Sequence, residues 1–442
     1  MSDNGRTVYV CVRGCIHARV NSARVEDFFR ANGWRSVSDP ADAGLIVLYA
    51  CGSHHTQATE STEFIQWISS EHPGKELLVW GCLPVVDPVA LGQVYGGKSF
   101  GPREISRFDA YGDRISIEAI EANRLVGNLA RQARPSGSSA HRLYSEFSRL
   151  CSDLVAGLGR LAGNAPYPAG TSENAWLLLC CKCMGKAGRI AHRLVIERKR
   201  CFYITCATGC LGTCRYCSIR KARGRLSSKP LAKIRDEFER GLRAGYSSFR
   251  LVATDLGCYG FDLGTNLVAL LKQLGSGQDD YQLWLEHVNP KHLRRFADDL
   301  DPGLMSHVSI IGVPPESGSD RILERMDRGY SAAEYRGLVQ QLRALAPKAA
   351  ITAGFVVGFP GETERDFKLS RRLLATTTVD LARALPFSPR PGVAARTMPG
   401  MVGERTMLRR WAMLQADCSR RAALYAARCV LGTRHRLFSA GA

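Results

Sequence analysis

Cys210, Cys214 and Cys217, here called the CxxxCxxC triad, lie within the segment CLGTCRYC. Three thiolates at this spacing can bind three irons of one 4Fe-4S cubane and leave the fourth iron open. S-adenosylmethionine (SAM) can bind that iron through its amino and carboxylate groups, and an electron from the cluster can then break the sulfonium C–S bond. A zinc site is the alternative interpretation, because Cys206 could supply a fourth ligand.

Cys15, Cys51 and Cys82, here called the N-terminal triad, each closely follow a short apolar run. The runs predict parallel strands over Thr7–Val12, Leu45–Ala50 and Leu77–Trp80. Because the carboxyl ends of parallel strands share one edge of a sheet, we expect the three thiols to converge. Two alternatives stay open: buried free cysteines often act as small apolar residues, and Cys11 competes with Cys15, although Cys11 falls within its strand.

Residues 1–110 alternate strand-like and helix-like segments, which predicts an N-terminal α/β domain with a doubly wound parallel sheet. Crossover helices are predicted around Ser22–Ala31 and Gln57–Ser70. Residues 111–199 show no clear period and predict a connector with some helix around Leu143–Leu161.

The alternation of strands and helices resumes over residues 200–400. Strands are predicted over Cys201–Thr205, Phe249–Thr254, Gln282–His287, Val308–Val313, Ile351–Val357 and Leu381–Phe387, and helices over Ala232–Ala244, Asn266–Leu274, Ala332–Ala346 and Glu364–Thr376. Six such units predict a partial (β/α)6 barrel, in which chemistry takes place at the carboxyl ends of the strands. The CxxxCxxC triad follows the first strand at that face. Residues 401–442 predict a basic tail with a packed helix over Glu404–Val430.

The chain has 442 residues, enough for two or three packed cores, and 16 cysteines. No signal peptide or membrane-spanning run is visible, so we expect a cytoplasmic protein that ligates metal rather than forming disulfides, with no membrane contact. Sixty Lys and Arg against 41 Asp and Glu give a net charge of +19, which would attract polyanions such as nucleic acid. A solvated Arg-rich surface is the alternative, and it is the default interpretation of Arg409, Arg410, Arg420 and Arg421 in the tail.

Motifs around both triads occur in the order of one known family. They are GCIH (14–17), YACGSH (49–54), GCLP (81–84), GCLGTCRYCSIRKARGRLSSKP (209–230), TDLGCYGFDLGTNL (254–267), PESGSDRILERMDRGYS (315–331), GFVVGFPGETERDF (354–367) and FSPRPG (387–392). Through these motifs the chain resembles the radical-SAM methylthiotransferases, most closely the branch that acts on threonylcarbamoyladenosine in tRNA. The resemblance covers about residues 7–105 and 200–400.

The resemblance implies two 4Fe-4S clusters. The CxxxCxxC triad would hold the cluster that cleaves SAM to a 5′-deoxyadenosyl radical, and the N-terminal triad would hold an auxiliary cluster that carries the sulfur. It further implies SAM contacts from residues at strand ends, namely Tyr216, Thr254, Asp255, Glu316, Ser317, Val356 and Gly358. The alternatives are ordinary loop carboxylates for Asp255 and Glu316, and a tight turn at Gly358. An electron donor such as a flavodoxin or ferredoxin is implied as a partner.

This chain departs from the family pattern at four positions: Ala18 replaces the usual Asn, Asn21 an Asp, Glu316 a Gln and Gly354 an Asp. After Arg396 only helix and a short tail are predicted, so the usual C-terminal TRAM barrel is expected to be missing. These departures concern the surroundings of the clusters and the substrate, and not the cysteines of either triad.

Other cysteines have less defined roles. Cys180, Cys181 and Cys183, with Cys201 and Cys206 further on, could form a third metal site or remain unligated or resolving thiols. Cys258, Cys418 and Cys429 are predicted to be structural.

Three functional hypotheses follow. The first is sulfur insertion into an unactivated C–H position of a tRNA nucleoside. The second keeps the chemistry but transfers sulfur to a small, nucleoside-like natural-product intermediate, by insertion or by replacement of oxygen. The third, from a different class, is a non-catalytic iron–sulfur or zinc protein that binds RNA.

Overall fold

The computed structural model describes residues 6–126, 201–275 and 280–430. These residues form two compact units, the first comprising 6–126, 201–275, 280–308 and 388–397, and the second comprising 309–387 and 398–430. The helix predicted around Leu143–Leu161 and the thiols of Cys180, Cys181 and Cys183 lie outside the described residues, as does the side chain of Cys429. The predicted domain boundaries near residues 110, 200 and 400 stay predictions.

The first unit contains a five-stranded, entirely parallel sheet with the strand order β2-β1-β3-β4-β5. Its strands are β1 (Thr7–Arg13), β2 (Arg35–Ser36), β3 (Leu45–Ala50), β4 (Glu76–Trp80) and β5 (Ser99–Phe100), and its helices are α1 (Ile16–Ala31), α2 (His55–Glu71), α3 (Leu83–Val86) and α4 (Pro88–Gly92). The strands and crossover helices predicted here are confirmed, and the strand order is that of a flavodoxin-like doubly wound sheet.

Both faces of this sheet are covered, which explains the continuous apolar runs of its central strands. Val10 and Val47 pack with Phe28 of α1 in one core. Cys11 packs in a second core, on the other face of the sheet, which contains residues of α2. The thiol of Cys11 is fully buried and lies 3.6 Å from the carbonyl oxygen of Val47. Cys11 is therefore a core residue, and Cys15 is the cysteine at the sheet edge.

The first unit also contains β6 (Phe202–Thr208), β7 (Ser227–Ser228), β8 (Ser248–Ala253) and β9 (Gln282–Leu285), and the second contains β10 (Val308–Gly312, with Val308 in the first unit), β11 (Ala350–Val357) and β12 (Leu381–Pro386). Within each unit, neighbouring strands pair in parallel except β6 with β7, a short antiparallel edge that the sequence did not reveal. All six predicted strands are present, each within three residues of its predicted bounds.

The helices predicted after these strands are present, together with four short helices that the sequence analysis did not predict. They are α5 (Ile219–Arg223), α6 (Leu231–Arg243), α7 (Leu267–Leu274), α8 (Pro290–Leu293), α9 (Pro302–Met305), α10 (Asp320–Arg325), α11 (Ala332–Leu345), α12 (Glu364–Thr376) and α13 (Glu404–Val430). Short 3-10 turns occupy Pro40–Asp42, Pro102–Tyr111, Ile117–Ala119, Leu256–Cys258, Ala297–Asp299 and Ala394–Thr397. Within the described residues, no helix combines the length and hydropathy that a membrane span requires.

Helix α13 packs in the second unit, as its apolar stripe predicts. Leu408, Leu414 and Cys418 are buried on that stripe. The interpretation of its arginines as a solvated face is wrong for Arg410, which is buried and lies 3.1 Å from the carboxylate of Glu362. The reason is that α13 packs directly against α12 and the loop before it, so that an arginine off the apolar stripe still meets protein.

Candidate active site

The N-terminal triad lies at the carboxyl edge of the first sheet. Cys15 stands between β1 and α1, Cys51 directly follows β3, and Cys82 immediately precedes α3. Strands β1 and β3 are neighbours at the point where the strand order reverses, which is where doubly wound sheets bind their ligands. Cys51 and Cys82 are buried, whereas Cys15 is exposed.

Polar and charged side chains lie beside the sulfurs of the N-terminal triad. The Tyr49 hydroxyl lies 3.3 Å from the Cys82 sulfur, and Arg223 donates from Nη2 to the Cys15 sulfur over 3.3 Å. Burial raises the pKa of Cys51 to about 12, and the negative charges of Cys15 and Cys82 add to that rise. The structure thus brings the triad together, and donors and a cation face its sulfurs.

Gly81 makes the close approach of Cys82 to the neighbouring strand possible. Its φ of +117° lies in the region that glycine tolerates and other residues avoid. A Cβ at this position would lie 2.8 Å from the carbonyl oxygen of Ala50 and 2.8 Å from the Tyr49 ring. A side chain here would therefore force apart the ends of β3 and β4 that carry two of the three cysteines.

The loop after Cys51 is fastened by a segment far along the chain. Arg390, in the FSPRPG motif, is buried and donates from Nε to the carbonyl oxygen of Gly52 over 3.0 Å. Its Nη2 lies 3.0 Å from the carboxylate of Asp87, and the Ser388 hydroxyl accepts from the His55 N–H at the start of α2 over 2.9 Å. We call Ser388 and Arg390 the Cys51-loop clamp.

The CxxxCxxC triad occupies the loop between β6 and α5. Gly209 precedes it with a φ of +70°, and a Cβ there would lie only 1.9 Å from the carbonyl oxygen of Arg225. The Cys210 sulfur accepts a hydrogen bond from the Gly212 N–H over 3.1 Å. The loop therefore starts from a constrained turn and presents a backbone donor to one of its own sulfurs.

The thiols of this triad differ in acidity. A hydrogen bond from the Cys258 thiol is the largest influence on Cys210, and it lowers the pKa of Cys210 to about 7 although burial acts against it. Burial raises the pKa of Cys217 to about 12. Because a thiol loses its proton as the pH rises through its pKa, Cys210 ionises near neutrality and Cys217 does not.

We therefore expect Cys210 to be alkylated well before Cys217 in metal-free protein. Thiolate is the reactive species, so the labelling rate of Cys210 should rise through about pH 7 and level off near pH 8 to 9, while Cys217 stays largely unlabelled in that range. Pulse labelling with iodoacetamide between pH 6 and 9, followed by mass spectrometry of the peptides, measures both rates. Equal rates for the two cysteines at pH 8 would contradict the difference in acidity.

Cys258, Asp255 and His292 form a buried group whose ligand atoms all lie within 4.8 Å of one another. The two oxygens of the Asp255 carboxylate are already engaged, one with the backbone N–H groups of Gly257 and Asn289, the other with His292 Nδ1 at 2.7 Å. The Cys258 thiol lies 3.2 Å from the Asp255 carbonyl oxygen. The group therefore fastens the loop after β8 to the loop after β9.

The residues predicted to contact SAM are described separately in each unit. In the first unit Tyr216 is half-buried inside the triad loop, Thr254 follows β8 and accepts a hydrogen bond from Arg223, and Asp255 has the contacts given above. None of these observations tests a role in SAM binding, which stays a prediction.

The second unit brings its four predicted residues to the carboxyl end of β11. Glu316 has a φ of +65° and accepts a backbone hydrogen bond from Val356, and its carboxylate lies 3.8 Å from Arg328. Ser317 is fully buried, and Gly358, with a φ of +79°, donates its N–H to Glu362. Glu316 and Val356 are therefore adjacent, and their part in binding SAM also stays a prediction.

Sequence reasoning missed Tyr49 and Arg223, which contact sulfurs of the N-terminal triad, and Arg390, which binds the loop after Cys51. All three lay inside recognised motifs, but nothing in the motifs indicated a contact. Arg223 lies six residues beyond Cys217, and its charge gave no sign that it would reach Cys15. Cys258, predicted to be structural, is buried and interacts with Cys210, which its position in the sequence did not indicate.

The donor sets fit iron–sulfur clusters. Each triad offers three cysteine sulfurs, and thiolate is the ligand such clusters use. Cys210 receives a backbone N–H, and the N-terminal triad faces the Tyr49 hydroxyl and the Arg223 guanidinium, so anionic sulfur is stabilised in both places. Cys206, the proposed fourth zinc ligand, is instead fully buried in β6, and burial raises its pKa to about 12.

Two family models match the chain. The model described as "Radical SAM superfamily" matches residues 204–374, and the one described as "Uncharacterized protein family UPF0004" matches residues 7–97. The first range contains the CxxxCxxC triad, and the second contains the N-terminal triad. The two kinds of cysteine site therefore fall in two recognised sequence regions.

Sequence similarity to curated relatives identifies the family of this chain. The "Probable threonylcarbamoyladenosine tRNA methylthiotransferase" of Methanocaldococcus jannaschii is 32% identical over 393 residues, covering 88% of this chain and 78% of the relative. The chain belongs to the radical SAM methylthiotransferase family. A relative of the same name from Pyrococcus abyssi is 27% identical over 407 residues, covering 91% of this chain and 82% of the relative. The chain is accordingly an enzyme, and membership of the superfamily implies a 4Fe-4S cluster and SAM as cofactors.

A solved structure supports the fold of this methylthiotransferase. The radical S-adenosylmethionine methyltransferase TsrM from Kitasatospora setae, described with cobalamin and a [4Fe-4S] cluster bound, has a TM-score of 0.53 at 14% identity. The likeness covers 88% of this chain and 77% of TsrM. It confirms an α/β fold in which an N-terminal parallel-sheet domain precedes a radical SAM domain.

Proposed function

We propose that this methylthiotransferase uses two 4Fe-4S clusters to insert sulfur into an unactivated C–H position of a tRNA nucleoside. The observation that carries the proposal is the convergence of Cys15, Cys51 and Cys82 beside Arg223, a residue of the helix that follows the CxxxCxxC triad. In this proposal residues 1–110 form the domain that carries the auxiliary cluster, and residues 200–400 form the domain that cleaves SAM. Residues 111–199 link these two domains, and residues 401–442 form the C-terminal tail.

When bound, SAM and the clusters would supply a 5′-deoxyadenosyl radical for hydrogen abstraction, a sulfur atom for transfer and, from a second SAM, the methyl group on that sulfur, with electrons from a flavodoxin or ferredoxin. The chain's own residues hold and orient these groups. Gly212 donates to the Cys210 sulfur, and the neighbouring Cys258 thiol lowers the pKa of Cys210, so both favour its thiolate form. In the N-terminal triad Arg223 donates to the Cys15 sulfur, and the Tyr49 hydroxyl lies beside the Cys82 sulfur.

Burial in the N-terminal triad serves the transfer step. Cys51 and Cys82 are only 1% and 2% exposed, so their sulfurs are shielded from water. Cys15 is exposed, which leaves one side of the triad accessible. A substrate carbon could approach the site from that side.

Two observations support tRNA as the substrate. The relatives from Methanocaldococcus jannaschii and Pyrococcus abyssi both carry tRNA in their names. The net charge of +19 favours a polyanion and predicts binding that weakens steeply with salt.

The test combines three measurements on anaerobically reconstituted enzyme. We expect about eight irons per chain, because each cubane holds four. With reductant, SAM and bulk tRNA, we expect 5′-deoxyadenosine and, after digestion of the tRNA, a nucleoside whose mass shows a methylthio group in place of one hydrogen. About four irons would contradict the two-cluster proposal. Activity on free nucleosides but not on tRNA would favour a small-molecule substrate.

A further inference from the structure

Arg223 belongs to the helix that follows the CxxxCxxC triad, and its side chain contacts the N-terminal triad. It is the last residue of α5, six residues after Cys217, and it is half-buried. Its Nη2 donates to the Cys15 sulfur over 3.3 Å, and its Nη1 donates to Thr254 Oγ1, just beyond β8, over 3.3 Å. One planar guanidinium therefore touches a member of the N-terminal triad and the edge of the barrel strands in the first unit.

The proposed auxiliary cluster would place negative charge beside this guanidinium. Three thiolates that hold a cluster would bring several negative charges into a site where two of the three sulfurs are buried. Removing charge from water costs free energy unless an opposite charge or hydrogen bonds compensate for it. Arg223 supplies both, because its charge is permanent and its donors point in fixed directions.

A second observation concerns the turn that follows Arg223. Gly224 has a φ of +78°, a conformation that glycine tolerates and other residues avoid. This turn ends α5, and it leaves Arg223 as the last residue of that helix.

We propose that Arg223 is a positioning residue that sets the reduction potential of the auxiliary cluster. The inference rests on the proposed auxiliary cluster at Cys15, Cys51 and Cys82. Reduction adds negative charge to a cluster, so a neighbouring cation and a hydrogen bond to a ligand sulfur both make it easier. Loss of Arg223 therefore shifts the potential to more negative values.

The experiment isolates the auxiliary cluster by changing Cys210, Cys214 and Cys217 to Ala in one chain. In that background, Arg223→Gln removes the charge and Arg223→Lys keeps it. Arg225→Gln is the matched control, because Arg225 is exposed, lies two residues away and gives the same change in net charge. Iron content and an anaerobic potentiometric titration followed by electron paramagnetic resonance are measured for all four chains.

We expect a more negative midpoint potential, or loss of most of the iron, in Arg223→Gln, partial recovery in Arg223→Lys, and no change in Arg225→Gln. Loss of iron supports the proposal only when the circular dichroism spectrum matches that of the parent chain. If the spectrum differs, the proposal is tested instead by the iron content and midpoint potential of Arg223→Lys against those of the parent chain. Iron and potential unchanged in Arg223→Gln, or shifted equally in Arg225→Gln, would overturn it. A parent chain without iron would instead contradict the auxiliary cluster itself, and this inference with it.

Discussion

Changing Cys51 to Ala is expected to leave SAM cleavage intact while sulfur transfer falls by more than about 100-fold. Losing an outer-shell partner of a metal site commonly costs 10- to 100-fold, and loss of a ligand costs more. Iron should fall from about eight to about four per chain. The measurements are iron content, 5′-deoxyadenosine formed with SAM and reductant, and the amount of methylthiolated nucleoside.

Cys11→Ala is the matched control for this variant. Cys11 lies in the neighbouring strand, but it packs in the core and its thiol faces the carbonyl oxygen of Val47. We expect eight irons and full sulfur transfer from the control. If Cys11→Ala and Cys51→Ala lose sulfur transfer equally, the sheet edge is not the auxiliary site.

Changing Cys214 to Ala is expected to abolish SAM cleavage and leave the auxiliary cluster in place. A cubane with only two protein ligands is held too weakly to present an open iron to SAM, so 5′-deoxyadenosine should fall by more than about 100-fold. About four irons should remain, and they should keep the spectrum of the chain with Cys210, Cys214 and Cys217 all changed to Ala.

Cys206→Ala serves as the control and also tests zinc. Cys206 is fully buried in β6, four residues before the triad, and it is the residue that a tetrahedral zinc site would recruit. We expect unchanged iron and unchanged 5′-deoxyadenosine. Zinc in the purified protein that disappears in both Cys206→Ala and Cys214→Ala would contradict the iron–sulfur interpretation.

Much of the fold could be predicted because its central strands are buried on both faces. Such strands appear in the sequence as unbroken apolar runs, and these runs predicted β1, β3 and β4. Strands β2, β5 and β7 were missed because each has only two residues and offers no period to detect. The position of Cys15, Cys51 and Cys82 at one edge followed from the direction of the strands alone.

Contacts between distant segments could not be predicted. Arg223 and Cys15 are 208 residues apart, and only the packing of the folded first unit brings them together. Asp255 illustrates a different limit. A carboxylate after a strand is typical of ligand binding, but whether its oxygens are free depends on the neighbouring loop, which here supplies Asn289 and His292.

The Cys51-loop clamp can form only late in the synthesis of the chain. Arg390 is 338 residues beyond the Gly52 carbonyl that it binds, so the ribosome makes the loop long before its fastening exists. Contacts this distant in sequence form late in folding, because the chain between them must be ordered first. The cysteine loops of the first sheet are thus among the earliest parts translated, yet the Cys51 loop is completed only after the last strand, β12, has emerged.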